Sequence, residues 1–130
     1  MLGLAQAEHE ESSPDAEQLV ISKLVCSLVG STETVTLVPG TLTHRAYGAA
    51  EAAEKFACNY GLNPEFASLL RDRDDLRIES TDEAGDIRII RLPRHPFFLA
   101  TLFQPERSSL KGLVHPLIRG FVAAAALRAE

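Results

Sequence analysis

Apolar and polar positions alternate in several short stretches of this chain, and the pattern predicts its elements. Residues 18–29 (QLVISKLVCSLV) place Leu, Val and Ile on both faces of an extended segment, as a strand covered on both sides does. Residues 34–38 (TVTLV) form a second such run, and Gly30-Ser31 between the two predicts a hairpin. Pro39-Gly40 then breaks the pattern. The passage 44–56 (HRAYGAAEAAEKF) reads as short helical or irregular chain leading into a third strand within 55–62 (KFACNYGL). Asn63-Pro64 is a helix-start signal, with Asn63 as cap and Pro64 in the first turn of a helix over 64–73.

Residues 76–80 (LRIES) and 86–92 (DIRIIRL) alternate on either side of Asp82-Glu83-Ala84-Gly85. They predict a second hairpin, with one solvated face. Residues 97–103 (FFLATLF) read as the most buried strand. The chain closes in a helix with an apolar stripe of Leu113, Leu117, Phe121 and Ala124 or Ala125. Strands in the middle and helices towards the end predict an α/β fold, a mixed sheet with flanking helices, in one domain over residues 1–130. The acidic segment 7–17 reads as an exposed connection. Residues 1–11 (MLGLAQAEHEE) resemble the tail of a helix without its beginning, so residue 1 is expected to fall inside a larger domain.

Composition narrows the classes. A length of 130 residues is enough to bury a core without disulfides or a structural metal. The net charge of −5, with Arg71, Arg73, Arg88, Arg91 and Arg94 interleaved with acids, argues against a nucleic-acid partner. The opening residues lack the basic flank and apolar core of a secretion signal. The final apolar run, GFVAAAALRAE, is too short and Ala-rich to span a bilayer, so no membrane role is expected and the cytoplasm is the default compartment.

Two cysteines, Cys26 and Cys58, make neither a disulfide framework nor a metal quartet. Cys26 falls within a predicted strand and reads as a small buried hydrophobe. Cys58 lies beside Asn59 and Tyr60, on a strand expected to end near Gln104. His9, His44 and His115 show no ligand spacing to one another or to the cysteines, so no metal and no cofactor are expected.

The stretch His95–Ser109 (HPFFLATLFQPERSS), followed by 115–125 (HPLIRGFVAAA), resembles the C-terminal end of flavodoxin-like class I glutamine amidotransferase domains. It is similar in particular to the amidotransferase half of CTP synthase, whose pattern runs HPFF, an apolar strand, F-H-P-E, then P-L-F and an apolar helix. Residues 54–63 (EKFACNYGLN) are similar to the CTP synthase segment E-R-H-R-H-R-Y-E-V-N, with Glu54, Tyr60 and Asn63 on matching positions. The opening Leu2-Gly3-Leu4 resembles the end of the helix behind that family's nucleophile elbow. The resemblance covers nearly the whole chain but only the C-terminal half of such a domain. It extends to the short proteins called CTP synthase C-terminal region-related (seleno)proteins.

The resemblance implies a nucleophilic Cys on a strand-to-helix elbow, a His base, and a Glu two residues later that orients it. Gln104 falls on the base position and Glu106 on the orienter. A glutamine amide has no titratable nitrogen and cannot accept a thiol proton near neutral pH. No G-x-C-x-G occurs in the 130 residues. The basic run that helps hold glutamine in the family is Lys55-Phe56-Ala57-Cys58-Asn59 here.

The expectation is a catalytically degenerate amidotransferase-like protein that binds at most a small molecule or partner at the old site, near Cys58, Asn59 and Tyr60. Two alternatives stand beside it. One is an enzyme of thiol-dependent chemistry using Cys58, which relatives bearing selenocysteine make more plausible; the other is a structural interaction module. Gln104 and Glu106 equally fit plain caps of a strand and a turn. Exposed sheet edges and apolar surface left by half a domain predict a homo-oligomer.

Overall fold

The computed structural model of the chain describes residues 3–129. Its strands are β1 (Glu8–His9), β2 (Leu19–Lys23), β3 (Thr32–Leu37), β4 (Glu51–Lys55), β5 (Tyr60–Leu62), β6 (Arg77–Asp82), β7 (Ile87–Arg91) and β8 (Leu99–Thr101). Helices α1 (Leu42–Tyr47), α2 (Ala67–Arg71) and α3 (Pro116–Ala129) flank them, with 3-10 turns at Pro64–Phe66 and Pro105–Lys111. Five strands form an antiparallel sheet in the order β4-β3-β6-β7-β8. The order of the other three is β1-β2-β5, with β1 parallel and β5 antiparallel to β2.

Alternation along β3 turns Val35 and Leu37 inward, where they pack with Phe56, Ile89, Phe103 and Leu117. The rings of Phe56 and Phe103 meet edge-on at 5.8 Å. A second cluster of Leu70, Leu76 and Ile87 sits under α2. The buried Glu79 of β6 fixes α1 to the sheet: its Oε2 accepts from the Thr43 backbone N–H at 2.7 Å and the Thr43 hydroxyl at 2.6 Å. Asn63 caps the turn after β5 as its sequence signal predicts, accepting the Glu65 N–H at 3.1 Å.

The α/β class holds, and several local expectations change. No hairpin joins β2 to β3, which lie in different sheets. Between them the Leu24 N–H bonds the Asn59 carbonyl at 2.8 Å and the Gly30 N–H bonds the Phe56 carbonyl at 2.9 Å. Those partners lead the backbone across the molecule instead of back on itself. Residues 24–31 are therefore irregular, Val25 is fully exposed, and Cys26 is an exposed loop residue, not a buried strand position.

Within the predicted third strand, only β5 and the last residue of β4 are extended; Phe56–Asn59 is an irregular crossing between the sheets. The β6–β7 hairpin forms, but Ile87, Arg88 and Ile89 are all buried, so its solvated face is lost there. Register shifts in that ladder re-aim successive side chains. Of 97–103 only β8 is strand, at the edge of its sheet, and Phe103 rather than Phe98 is buried.

On α3 only Leu117 of the expected stripe is buried. Leu113 precedes the helix and is exposed, and Phe121 is 54% exposed, its ring meeting that of Phe97 edge-on at 5.7 Å and otherwise open to solvent. Residues 3–11 hold turns and β1 in place of a helix end; Met1 and Leu2 lie outside the described residues. Among the described residues no single helix is long and apolar enough to cross a membrane.

Candidate functional site

The Gln-Pro-Glu tip follows β8 directly. Gln104 is extended, and Pro105, whose ring presets a helical φ, opens the 3-10 turn that ends at Gly112. Gly112 adopts φ 69°, a left-handed conformation that suits glycine. The half-buried Gln104 side chain turns back over the sheet, and its Oε1 accepts the Ala57 N–H at 3.0 Å. An amide NH2 cannot accept that proton, so the oxygen must face Ala57 and the NH2 group is left to donate elsewhere. Glu106 is exposed in the first turn, and no hydrogen bond joins it to Gln104.

The segment that Gln104 touches carries the other expected site residues. Cys58 is half-buried and its Sγ accepts the Tyr60 N–H at 3.3 Å. Asn59 is exposed; its Oδ1 accepts from the Ser27 hydroxyl at 2.5 Å. Tyr60 begins β5, with its ring 5.0 Å from that of His9. Gln104 is thus linked to the residue before Cys58, whereas Tyr60 belongs to the second sheet and Glu106 stands in solvent. Among the described residues no group of three or more His, Cys, Asp or Glu side chains is placed to hold a metal.

A buried polar network beside this tip was not evident from residue patterns. His115 Nδ1 accepts the Leu117 N–H at 3.2 Å, which caps the start of α3. The other ring nitrogen, Nε2, then carries the proton and donates to Glu54 Oε1 at 3.1 Å. The Tyr47 hydroxyl donates to the same Glu54 oxygen and lies 3.2 Å from His115 Nε2. Burial, followed by the hydrogen bond to Glu54 and its negative charge, pushes the Tyr47 phenol well above its ordinary pKa. One clue to the network was in the sequence: His115 sits in the apolar run GLVHPLI, and a buried ring there needs a partner.

Between β4 and the 105–111 turn lies a cleft of about 200 Å³, lined by Thr32, Lys55, Gln104, Arg107, Ser108 and Lys111, with Glu54 at its inner wall. A second cavity, about 240 Å³, opens between the two sheets and is lined by apolar side chains such as Val20, Ile21, Leu62, Ile90 and Leu102. Arg88 at its edge is held by Asp82 at 2.5 Å and stacks over the Phe56 ring at 5.4 Å.

Comparison with known proteins agrees with the motif resemblance. No family profile matches the chain. It is 36% identical over 132 residues to CTP synthase of Carboxydothermus hydrogenoformans, covering 94% of this chain and 24% of that protein. To CTP synthase of Saccharolobus solfataricus it is 31% identical over 135 residues, covering 97% of this chain and 25% of that protein. The chain spans about a quarter of the length of these curated relatives. The solved Trypanosoma brucei CTPS glutaminase domain with bound acivicin matches at a TM-score of 0.83 and 24% identity, over 97% of this chain and 53% of that one. The fold is that of a flavodoxin-like class I glutamine amidotransferase domain. Within that class the chain belongs to the amidotransferase domains related to CTP synthase.

Proposed function

We propose that this amidotransferase-like domain is silent as a glutaminase and binds a small molecule in the cleft beside Gln104. The hydrogen bond from the Ala57 N–H to Gln104 Oε1 carries the proposal. It commits the side chain at the base position to a structural role, and an amide has no proton-accepting nitrogen to offer a thiol. Neither cysteine among the described residues is placed to serve as a nucleophile. Cys26 lies in the irregular 24–31 segment and Cys58 in the crossing between β4 and β5, neither on the strand-to-helix turn that presents a nucleophile beside backbone donors. Where the family carries a basic run, Phe56 is buried in the core and Ala57 is bonded to Gln104.

Ammonia release from glutamine tests this. The expected result is no release above a protein-free blank. Sustained release near about one per second per chain, typical of a working enzyme, overturns the proposal. We further propose that the domain assembles with copies of itself in the cytoplasm. Ile118, Phe121 and Val122 lie on one side of α3 and are exposed, an apolar surface that association would cover.

A further inference from the structure

We propose that the cleft between β4 and the 105–111 turn takes a small ligand bearing a doubly charged oxyanion, an inorganic phosphate or a phosphomonoester. This rests on the cleft being the ligand site. Three cationic side chains, Lys55, Arg107 and Lys111, line one concavity of about 200 Å³. None of the three forms an ion pair among the described residues, although the chain as a whole has a net charge of −5. Lys55, Arg107 and Lys111 are solvent-exposed, so their mutual repulsion is partly screened, and a bound anion between them turns that repulsion into attraction. Among the described residues the only acid at the wall is Glu54, which already accepts from Tyr47 and His115. Three positive charges against one engaged carboxylate leave an excess of two, which matches a dianion better than a monoanion.

Neutral donors complete the cleft. Gln104 spends its oxygen on Ala57, so its NH2 group is free to donate. The hydroxyls of Ser108 and Thr32 also line the space. Arg107 offers a planar fork suited to two oxyanion oxygens at once, and Lys55 and Lys111 supply point charges from either side. The volume is below the usual range for drug-sized ligands, about 300 to 1,000 Å³, so the occupant is small.

The test is a titration of the full chain at constant ionic strength, followed by calorimetry and amide NMR shifts. The probes are inorganic phosphate, a phosphomonoester such as glycerol phosphate, and glutamine. The expected result is saturable phosphate or phosphomonoester binding, with shifts at Lys55, Gln104 and residues 107–111. Binding should weaken at least tenfold in the Arg107→Ala, Lys111→Ala double variant and stay unchanged in Arg119→Ala, an exposed cation outside the cleft. Saturable binding of phosphate, of the phosphomonoester or of both supports the proposal, and the tighter of the two probes tells the sources apart. Saturable binding of glutamine with none of either phosphate probe overturns the anion assignment and leaves the cleft as a ligand site. No saturable binding of any probe, or equal weakening in the Arg119→Ala control, overturns the inference. Catalytic silence stands or falls separately, on ammonia release from glutamine.

Discussion

His115 Nε2 lies 3.1 Å from Glu54 Oε1, joining the start of α3 to the middle of β4 across 61 residues. The same ring caps α3 through Nδ1, so one imidazole connects two elements that share no backbone bond. Replacing His115 by Ala removes a hydrogen bond to a carboxylate and a helix cap, and leaves Glu54 buried with fewer partners. The expected loss is about 2 to 4 kcal/mol of unfolding free energy. Chemical denaturation measures it; a change below about 0.5 kcal/mol would place the pair among ornamental contacts. In a double-mutant cycle with Glu54→Gln the two effects should be strongly non-additive.

Tyr47 gives the pH-dependent signature. Its folded pKa is raised, so the stabilisation is fully present below the unfolded phenol value of 10.0 and is lost as pH climbs above it. Tyr47→Phe should cost about 1 kcal/mol near neutrality. Between pH 10 and 11 the gap between the two proteins should shrink as the unfolded wild type ionises. A constant gap over that interval would contradict the burial of this hydroxyl.

Gln104→His should not produce glutaminase activity in these 130 residues. The change recreates a His-Pro-Glu tip, but Glu106 is exposed and unbonded to position 104, and neither cysteine stands on an elbow. It also deprives the Ala57 N–H of its present acceptor, at a cost of about 1 kcal/mol. Ammonia release together with an unchanged melting temperature would contradict both statements.

The two cysteines should differ in access. Cys26 is exposed and Cys58 is half-buried, with its sulfur engaged by the Tyr60 N–H. A limiting alkylating reagent near neutral pH should label Cys26 first, as peptide mass mapping reads directly. Faster labelling of Cys58 would favour thiol-dependent chemistry at this site.

Self-association should depend on α3. Sedimentation at micromolar concentration is expected to show an oligomer. Phe121→Glu should dissociate it without unfolding, because the side chain is 54% exposed in the single chain. A wild-type monomer under those conditions removes the case for assembly.

Residue patterns by themselves determined the α/β class, the β6–β7 hairpin, the Asn63 cap and the place of Gln104 at the end of a strand. Each depends on neighbours a few positions apart: period-two alternation, a capping amide before a proline, and a short motif shared with a family. Only the tertiary structure decided that β2 and β3 go to different sheets, although Gly30-Ser31 had the local marks of a hairpin turn. It likewise decided that Cys26 is exposed, that Gln104 meets Ala57 and that His115 meets Glu54. Those outcomes turn on which distant backbone donors and apolar surfaces find each other. Partners 47 or 61 residues apart leave no periodic trace in the chain, because their energy arises only when burial brings them together.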